Sequence, residues 1–433
     1  MTEKPNLLLK NVKPVGDGFD GKTVTDIRIK DGMIQKIAQD IQSTSDDELF
    51  DAKGAYVSGG WMDMHVHFRE PGFEHKETIE TGCRSAMFGG FTEVACMPNT
   101  KPAIHTRDVV EFIRNKSRDQ LVDVHPIGCV TKERAGKSIA EMSDMKQGGA
   151  VAFSDDGDPV SSSQVMRVAL EYSSMLGVPV INHEEDLDLS RPGHMHEGEV
   201  STRLGLDGTP GIAEDIMIAR DIMLADFTGG HIHVAHISTR NAVDLVRKAK
   251  AEGINVTTEV CTHHFDLTDE EVERRNYDTR VKMHPPLRTQ DDVEAMVDGL
   301  KDGTIDVICT DHAPHSIEEK EVEFIYAANG IIGLETAWSI CVKRLLEPGH
   351  LSLQDLLEKL VVNPRNILNL EIPTIKEGTK ANLTLFNSEE EWVYSASEIR
   401  SKSKNSPYID EKLTGRAIAV YNKNRFSVNK LKN

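Results

Sequence analysis

The sequence predicts an α/β fold, a (β/α)8 barrel with a small β-sandwich-like domain built from both chain ends. Three observations carry this. From residue 59 to about residue 370, short apolar runs alternate with helix-length segments, eight β-then-α units in all. Outside that stretch the texture changes to short strands and turns. No nucleotide-binding fingerprint accompanies the units, which favours closure into a barrel over an open doubly wound sheet. The division follows: 59–370 for the barrel, and 1–58 with 371–433 for the composite β domain.

In the leading segment, 7–9, 24–30 and 33–38 are strand-like, and Asp31-Gly32 makes a hairpin turn between the last two. Residues 16–21 (GDGFDG) fit a GxGxxG pattern. They lead into another strand-like run instead of a helix, so they read as a turn and not a dinucleotide site. Barrel strands are expected at 60–66, 91–97, 121–128, 149–154, 178–183, 231–236, 255–260 and 304–310. Helical stretches fall between them, such as 76–88, 106–117, 161–176, 213–227 and 239–252. Two connections, 186–211 and 312–333, are long for their type and suit lids or substrate loops. In the tail, 375–386 is a turn leading into a strand, 413–421 is a second strand, and the polar piece 387–412 reads as a loop.

Acids outnumber bases 70 to 50, for a net charge of −20. Nucleic acid or an anionic membrane as principal partner would need a basic face instead. No apolar run is long enough to span a bilayer, and the opening residues lack the apolar core of a secretory leader. The six cysteines form no CxxC pair and sit in apolar segments, as reduced core thiols do. The cytoplasm is the expected location.

Chemistry in a barrel belongs at the C-terminal ends of the strands. Strand one ends in His65-Val66-His67, whose alternate side chains share a face. Strand four ends in Asp155-Asp156, strand five in His183, strand six in His233 to His236, and strand eight in Asp311-His312. A set of four imidazoles and two carboxylates drawn from these ends could hold two divalent ions, one carboxylate bridging.

The motifs HFREPG at 67–72 (with His65 before it), PNT at 98–100, TDHAPH at 310–315 and GIIGLE at 330–335 resemble those of the bacterial class I dihydroorotases in the amidohydrolase superfamily. The resemblance runs over nearly the whole chain. It implies His65, His67, Asp156, His183, His236 and Asp311 as ligands for Zn2+, one or two per subunit with two favoured. Many relatives in the superfamily bridge the metals with a carboxylated lysine. Residues 148–154 contain none, and the resemblance is to the subtype in which aspartate takes that place. By residue type either Asp155 or Asp156 could be that ligand; the resemblance implies Asp156, which stands in the family's ligand position relative to the histidine of strand five, with Asp155 in a turn or supporting role.

The implied reaction is the reversible cyclisation of N-carbamoyl-L-aspartate to dihydroorotate in pyrimidine synthesis. Asp311 is the proton carrier, and Arg69, Asn99, His284 and His315 are substrate contacts. Arg69 suits bidentate grip on a carboxylate. At His284 the family often has Asn, and an imidazole there would give the contact a pH dependence. A homodimer and association with aspartate transcarbamoylase are partner states the resemblance also raises. Two alternatives stand beside this reading. One is another cyclic amidohydrolase of the hydantoinase or allantoinase type, disfavoured by Arg69 and the absent lysine. The other is a non-catalytic dihydroorotase-like subunit, which would be expected to have lost metal ligands.

Overall fold

The computed structural model describes residues 6–431, so the first five residues of the expected β domain and its last two lie outside the described residues. The barrel strands are Trp61–Val66, Phe91–Cys96, Asp123–Pro126, Val180–Asn182, Ile232–Val234, Val256–Cys261 and Val307–Cys309, paired in parallel with their neighbours. The fourth position in the ring is a single residue. Phe153 bridges Gly128 on one side and Val180 on the other, where a full strand over 149–154 was expected. Gly149 is still ending a helix with φ 109°, and the Asp155–Gly157 turn begins two residues after Phe153, so little chain is left to extend. A Val66–His312 bridge joins the eighth strand to the first, and the His67 N–H donates to the His312 carbonyl at 2.9 Å. The sheet therefore closes on itself.

The helices between strands include Ile79–Gly89, Arg107–Ser117, Ser163–Leu176, Ile212–Thr228 and Arg240–Ala251. Their ends are set by side-chain caps at Thr78, Ser162 and Thr239 and by left-handed glycines at 90, 177 and 229. Helix one starts three residues later than its apolar spacing suggests, because Thr78 and Thr81 form a reciprocal capping box there. Met62, Met64, Ala95, Met97, Ile127, Ala152, Ile181, Ala235 and Val307 pack in one buried cluster with Ile367 and Leu368 of the helix Asn363–Leu368. This apolar plug leaves the polar residues at the other end of the strands.

Strands from both chain ends share one sheet. Leu383–Val393 runs antiparallel to Tyr56–Gly59 on one edge and to Lys412–Asn422 on the other. Asn6–Gly16 continues the sheet through Thr25–Lys30 to Met33–Ala38. Its own buried cluster joins Leu7, Leu9, Ile27, Ile29 and Val57 to Leu383, Leu385, Ala419 and Tyr421. The Asp31-Gly32 turn has φ of 51° and 78°, the left-handed pair a two-residue hairpin of this hand requires. The GxGxxG stretch is also a turn, closing a short antiparallel ladder between Gly16 and Phe19.

The polar piece expected as a loop over 387–412 is strand for its first seven residues. A register shift between Asn387 and Glu391 hides the alternation, and beyond it Trp392 is buried, with its indole N–H on the Gly415 carbonyl. All six cysteines are unpaired and buried. Among the described residues no helix is long and apolar enough to cross a membrane.

Candidate metal centre at the barrel mouth

Asp63, inside strand one, accepts from the His65 backbone N–H at 3.0 Å and from the Thr310 hydroxyl at 2.5 Å. This buried carboxylate pins strand one to strand eight just below the mouth. Burial pushes its pKa up to about 7 against those hydrogen bonds.

Above it the six expected side chains meet. His67 Nε2 lies 2.8 Å from Asp311 Oδ1 and 3.5 Å from Asp156 Oδ2. His65 Nε2 is 3.5 Å from Asp156 Oδ1 and 3.8 Å from Asp311 Oδ1. On the other side of Asp156, its Oδ1 is 3.4 Å from His236 Nε2 and 3.8 Å from His183 Nδ1, and those two ring nitrogens are 2.9 Å apart. Asp156 thus belongs to two three-residue groups, one with His65 and His67 and one with His183 and His236. His65, His236 and Asp311 form a third.

The donor set suits a divalent cation of the zinc type, being imidazole and carboxylate only. His65 Nε2 and Asp156 Oδ1 are buried and have no hydrogen-bond partner among the described residues, as atoms that await a cation would be. The electrostatics agree. Burial opposes charge on both carboxylates, yet the His65 imidazole and its neighbours hold Asp156 and Asp311 well below the usual range. Burial likewise opposes the His65 cation, and Asp156, Glu259 and Asp311 overcome it and drive that pKa up. The cluster holds positive charge strongly. Asp311, His236 and Arg69 also have left-handed φ of 44°, 30° and 63°, backbone strain concentrated at one rim.

Asp155 faces elsewhere. Its carboxylate accepts from the Thr131 backbone N–H at 3.0 Å and from the Thr131 hydroxyl, so only the second aspartate of the pair reaches the imidazoles. His233 is held by Thr257 Oγ1 at 2.8 Å and lies outside the cluster. Arg69 is buried, donates to the Pro314 carbonyl at 3.2 Å, and places Nη2 3.4 Å from His315 Nε2. Asn99 Oδ1 accepts from His67 Nδ1 at 2.8 Å, which leaves its amide N–H groups for other partners. His284 stacks on His183 at 5.2 Å between ring centres and puts Nε2 2.9 Å from Glu185 Oε2.

Several residues that orient this centre were not anticipated. Glu259 Oε1 is 2.5 Å from His65 Nδ1, and Glu185 Oε2 is 3.3 Å from His183 Nε2. Each carboxylate fixes which ring nitrogen of its histidine faces the cluster. The signal available for Glu259 was one acid inside an otherwise uncharged strand, Val256–Cys261.

Sequence comparison decides the family. Residues 54–242 match the family described as Dihydro-orotase-like. A dihydroorotase of Acetivibrio thermocellus is 48% identical over 410 residues, spanning 94% of this chain and 96% of its own length. One from Citrifermentans bemidjiense is 49% identical over 416 residues, spanning 95% and 97%. The chain belongs to the dihydroorotase family. Among solved structures, L-hydantoinase (dihydropyrimidinase) from Arthrobacter aurescens superposes with a TM-score of 0.85 at 24% identity, covering 99% of this chain and 97% of that one. That likeness establishes the shared fold.

As a dihydroorotase-family member the chain is a cyclic amide hydrolase, and its motifs have mechanical reasons. In HFREPG, Glu70 Oε2 accepts from the first N–H of helix one at 2.9 Å. Gly72 has φ 96°, and a Cβ there would lie 2.0 Å from the Lys101 carbonyl oxygen. In TDHAPH, Thr310 grips Asp63, His312 Nε2 lies 3.4 Å from Glu77, and the Pro314 carbonyl holds Arg69. Gly330 lets its loop pass Ala313 and His315, where a Cβ would come within 2.7 Å of the imidazole.

Proposed function

We propose that this chain catalyses the reversible cyclisation of N-carbamoyl-L-aspartate to L-dihydroorotate with loss of water, using Zn2+ held by His65, His67, Asp156, His183, His236 and Asp311, in de novo pyrimidine biosynthesis. The observation that supports it most is the position of Asp156 between two imidazole pairs, where a bridging carboxylate would sit. Two ions are favoured for that reason. The chain then falls in the subtype where aspartate replaces the carboxylated lysine, a reading supported by Phe153 and Ser154 standing in the barrel wall with no lysine beside them. When bound, zinc supplies Lewis acidity that polarises an amide carbonyl and lowers the pKa of water towards neutrality.

The protein side chains do the rest. The imidazoles around Asp311 hold it ionised at the mouth, the form a carboxylate must have to take up a proton. In ring opening it takes a proton from the attacking water and hands it to the departing ring nitrogen. In ring closure the ureido nitrogen loses its proton to Asp311 as it attacks the side-chain carboxyl carbon; Asp311 passes that proton to the departing carboxyl oxygen, and a second proton taken up from solvent lets it leave as water. Arg69 pairs with the remaining substrate carboxylate, while the Asn99 amide, His315 and His284 supply further hydrogen bonds. Water is kept from the Arg69 guanidinium by its burial against Pro314 and His315.

We also take residues 59–370 as the barrel domain and 1–58 with 371–433 as one small sandwich-like β domain. The sheet and apolar cluster common to both ends support that division. All six proposed ligands come from one chain, so neither a homodimer nor aspartate transcarbamoylase is needed to complete the centre.

The test is to offer the purified chain N-carbamoyl-L-aspartate, dihydroorotate, hydantoin and allantoin, beside Asp311→Ala. Interconversion of the first two alone is expected, with kcat falling by roughly 10²–10⁴-fold in the variant. Preference for hydantoin or allantoin, or an unimpaired variant, would overturn the proposal.

A further inference from the structure

A second group of metal-ligating side chains lies apart from the centre at the mouth and shares no residue with it. Strand seven ends at Cys261, and the chain turns at once through a short 3-10 helix, Thr262–Phe265. That turn folds His263 and His264 back beside Cys261, so that one ligand atom from each lies within 4.8 Å of the others. All three are buried, at 0, 1 and 3% exposure.

Their hydrogen bonding is incomplete in a specific way. His264 Nε2 is 3.0 Å from the Pro285 carbonyl, so it carries the proton and leaves Nδ1 as a bare lone pair. That Nδ1 has no partner among the described residues, and neither does either nitrogen of His263. Buried imidazoles are ordinarily satisfied by protein or solvent. Here three ring nitrogens beside a thiol are not.

A further thiol adjoins the group. Cys309 is the register partner of Cys261 on strand eight, and their sulfurs are 3.6 Å apart. Two thiolates sharing a tetrahedral ion at the usual zinc–sulfur bond length would stand about 3.8 Å apart. A disulfide would need them at about 2 Å.

We propose that Cys261, His263 and His264, with Cys309 as the adjoining fourth donor, form a distinct site for one zinc-type divalent cation. Thiolate and imidazole together select such an ion over magnesium or calcium. Binding releases the thiol protons of Cys261 and Cys309 to solvent, while both imidazoles coordinate in their neutral form. The ion would tie the end of strand seven to strand eight two residues before Asp311, and so hold the strand that carries the proposed proton carrier. Its role is structural and positional, and the site stands independently of the aspartate-bridged centre.

Cobalt(II) separates the two sites, because only this one contains sulfur. The full-length chain, stripped with chelator and saturated with Co2+, is expected to show a thiolate-to-cobalt charge-transfer band in the near ultraviolet. Cys261→Ser should lose that band and one equivalent of bound metal, while keeping the visible cobalt absorption of the histidine–aspartate centre. His263→Gln leaves both thiols in place and should weaken loading of the band about 10–100-fold, which serves if the serine variant does not fold. No band in the saturated wild-type protein would overturn the site. So would a band and metal content unchanged in both variants, or a band that survives Cys261→Ser and vanishes only in Cys309→Ser. None of those results would touch the reading of the centre at the mouth.

Discussion

His65 Nδ1 and Glu259 Oε1 lie 2.5 Å apart, both fully buried, joining strand one to strand seven across the barrel. The bond holds a proton on Nδ1, so Nε2 is the nitrogen turned to Asp156 and Asp311 and the one free to bind a cation placed among them. His65 Nε2 is the atom left without a partner, which makes Glu259 the residue that aims it.

Glu259→Gln keeps the shape and can still accept from Nδ1–H, but it removes the charge that strengthens the imidazole as a donor. Metal affinity is expected to fall about 10–100-fold with the fold retained. Competition with a calibrated chelator measures this, and an unchanged dissociation constant would remove Glu259 from the account.

A second buried carboxylate controls stability rather than chemistry. Glu93 Oε1 accepts from Arg365 at 3.0 Å and Asn382 at 2.9 Å, and Oε2 meets His125 at 3.0 Å. Burial raises its pKa, but His125 and Arg365 outweigh that and hold it at about 2, against 4.5 for a free side chain. The folded value is the lower one, so the stabilisation is present above 4.5 and is lost as pH falls towards 2. Glu93→Gln leaves Arg365 buried without its counter-charge and should cost about 3–5 kcal/mol near neutral pH. Urea unfolding across the acid range should show the gap to wild type narrowing as pH drops through that window. A gap independent of pH would contradict the assignment.

His284 stacks on His183 and meets Glu185, which places it at the edge of the centre, a quarter exposed. Asparagine at this position is too short to reach Glu185 as Nε2 does. His284→Asn is therefore expected to raise KM for substrate while leaving kcat within a few fold. An unaltered KM would remove the contact.

Much of this was legible in the chain because barrel geometry sends strand ends to one rim. His65, His67, Asp156, His183, His236 and Asp311 each stand at or within three residues of the end of an apolar run, and the barrel brings those ends together. Choosing Asp156 over Asp155 needed coordinates or kinship, since adjacent residues at a turn point in directions that period does not define. The orienting groups were not legible. Glu259 is 194 positions from the histidine it aims, and no local pattern encodes that pairing.

The rim also receives help from the far tail. Asn405 donates to the Ala313 and Gly330 carbonyls at 2.9 and 3.0 Å and accepts from the His315 N–H at 3.1 Å, and the Ser401 hydroxyl binds Glu77. Polar residues in an irregular crossing have no periodicity to betray where they dock. The same is true of strand four, whose apolar run promised a strand and delivered one bridging residue.

The account turns on cations gathered at Asp156, and one titration tests it most directly. Zinc is stripped completely from the purified chain and returned in steps, with bound metal and the rate of N-carbamoyl-L-aspartate cyclisation followed on the same samples. Cyclisation should vanish in the stripped protein and return as the histidine–aspartate centre fills, but not in Asp156→Ala at any zinc level that leaves it folded. Full activity in metal-free protein, or in the Asp156→Ala variant, would contradict it.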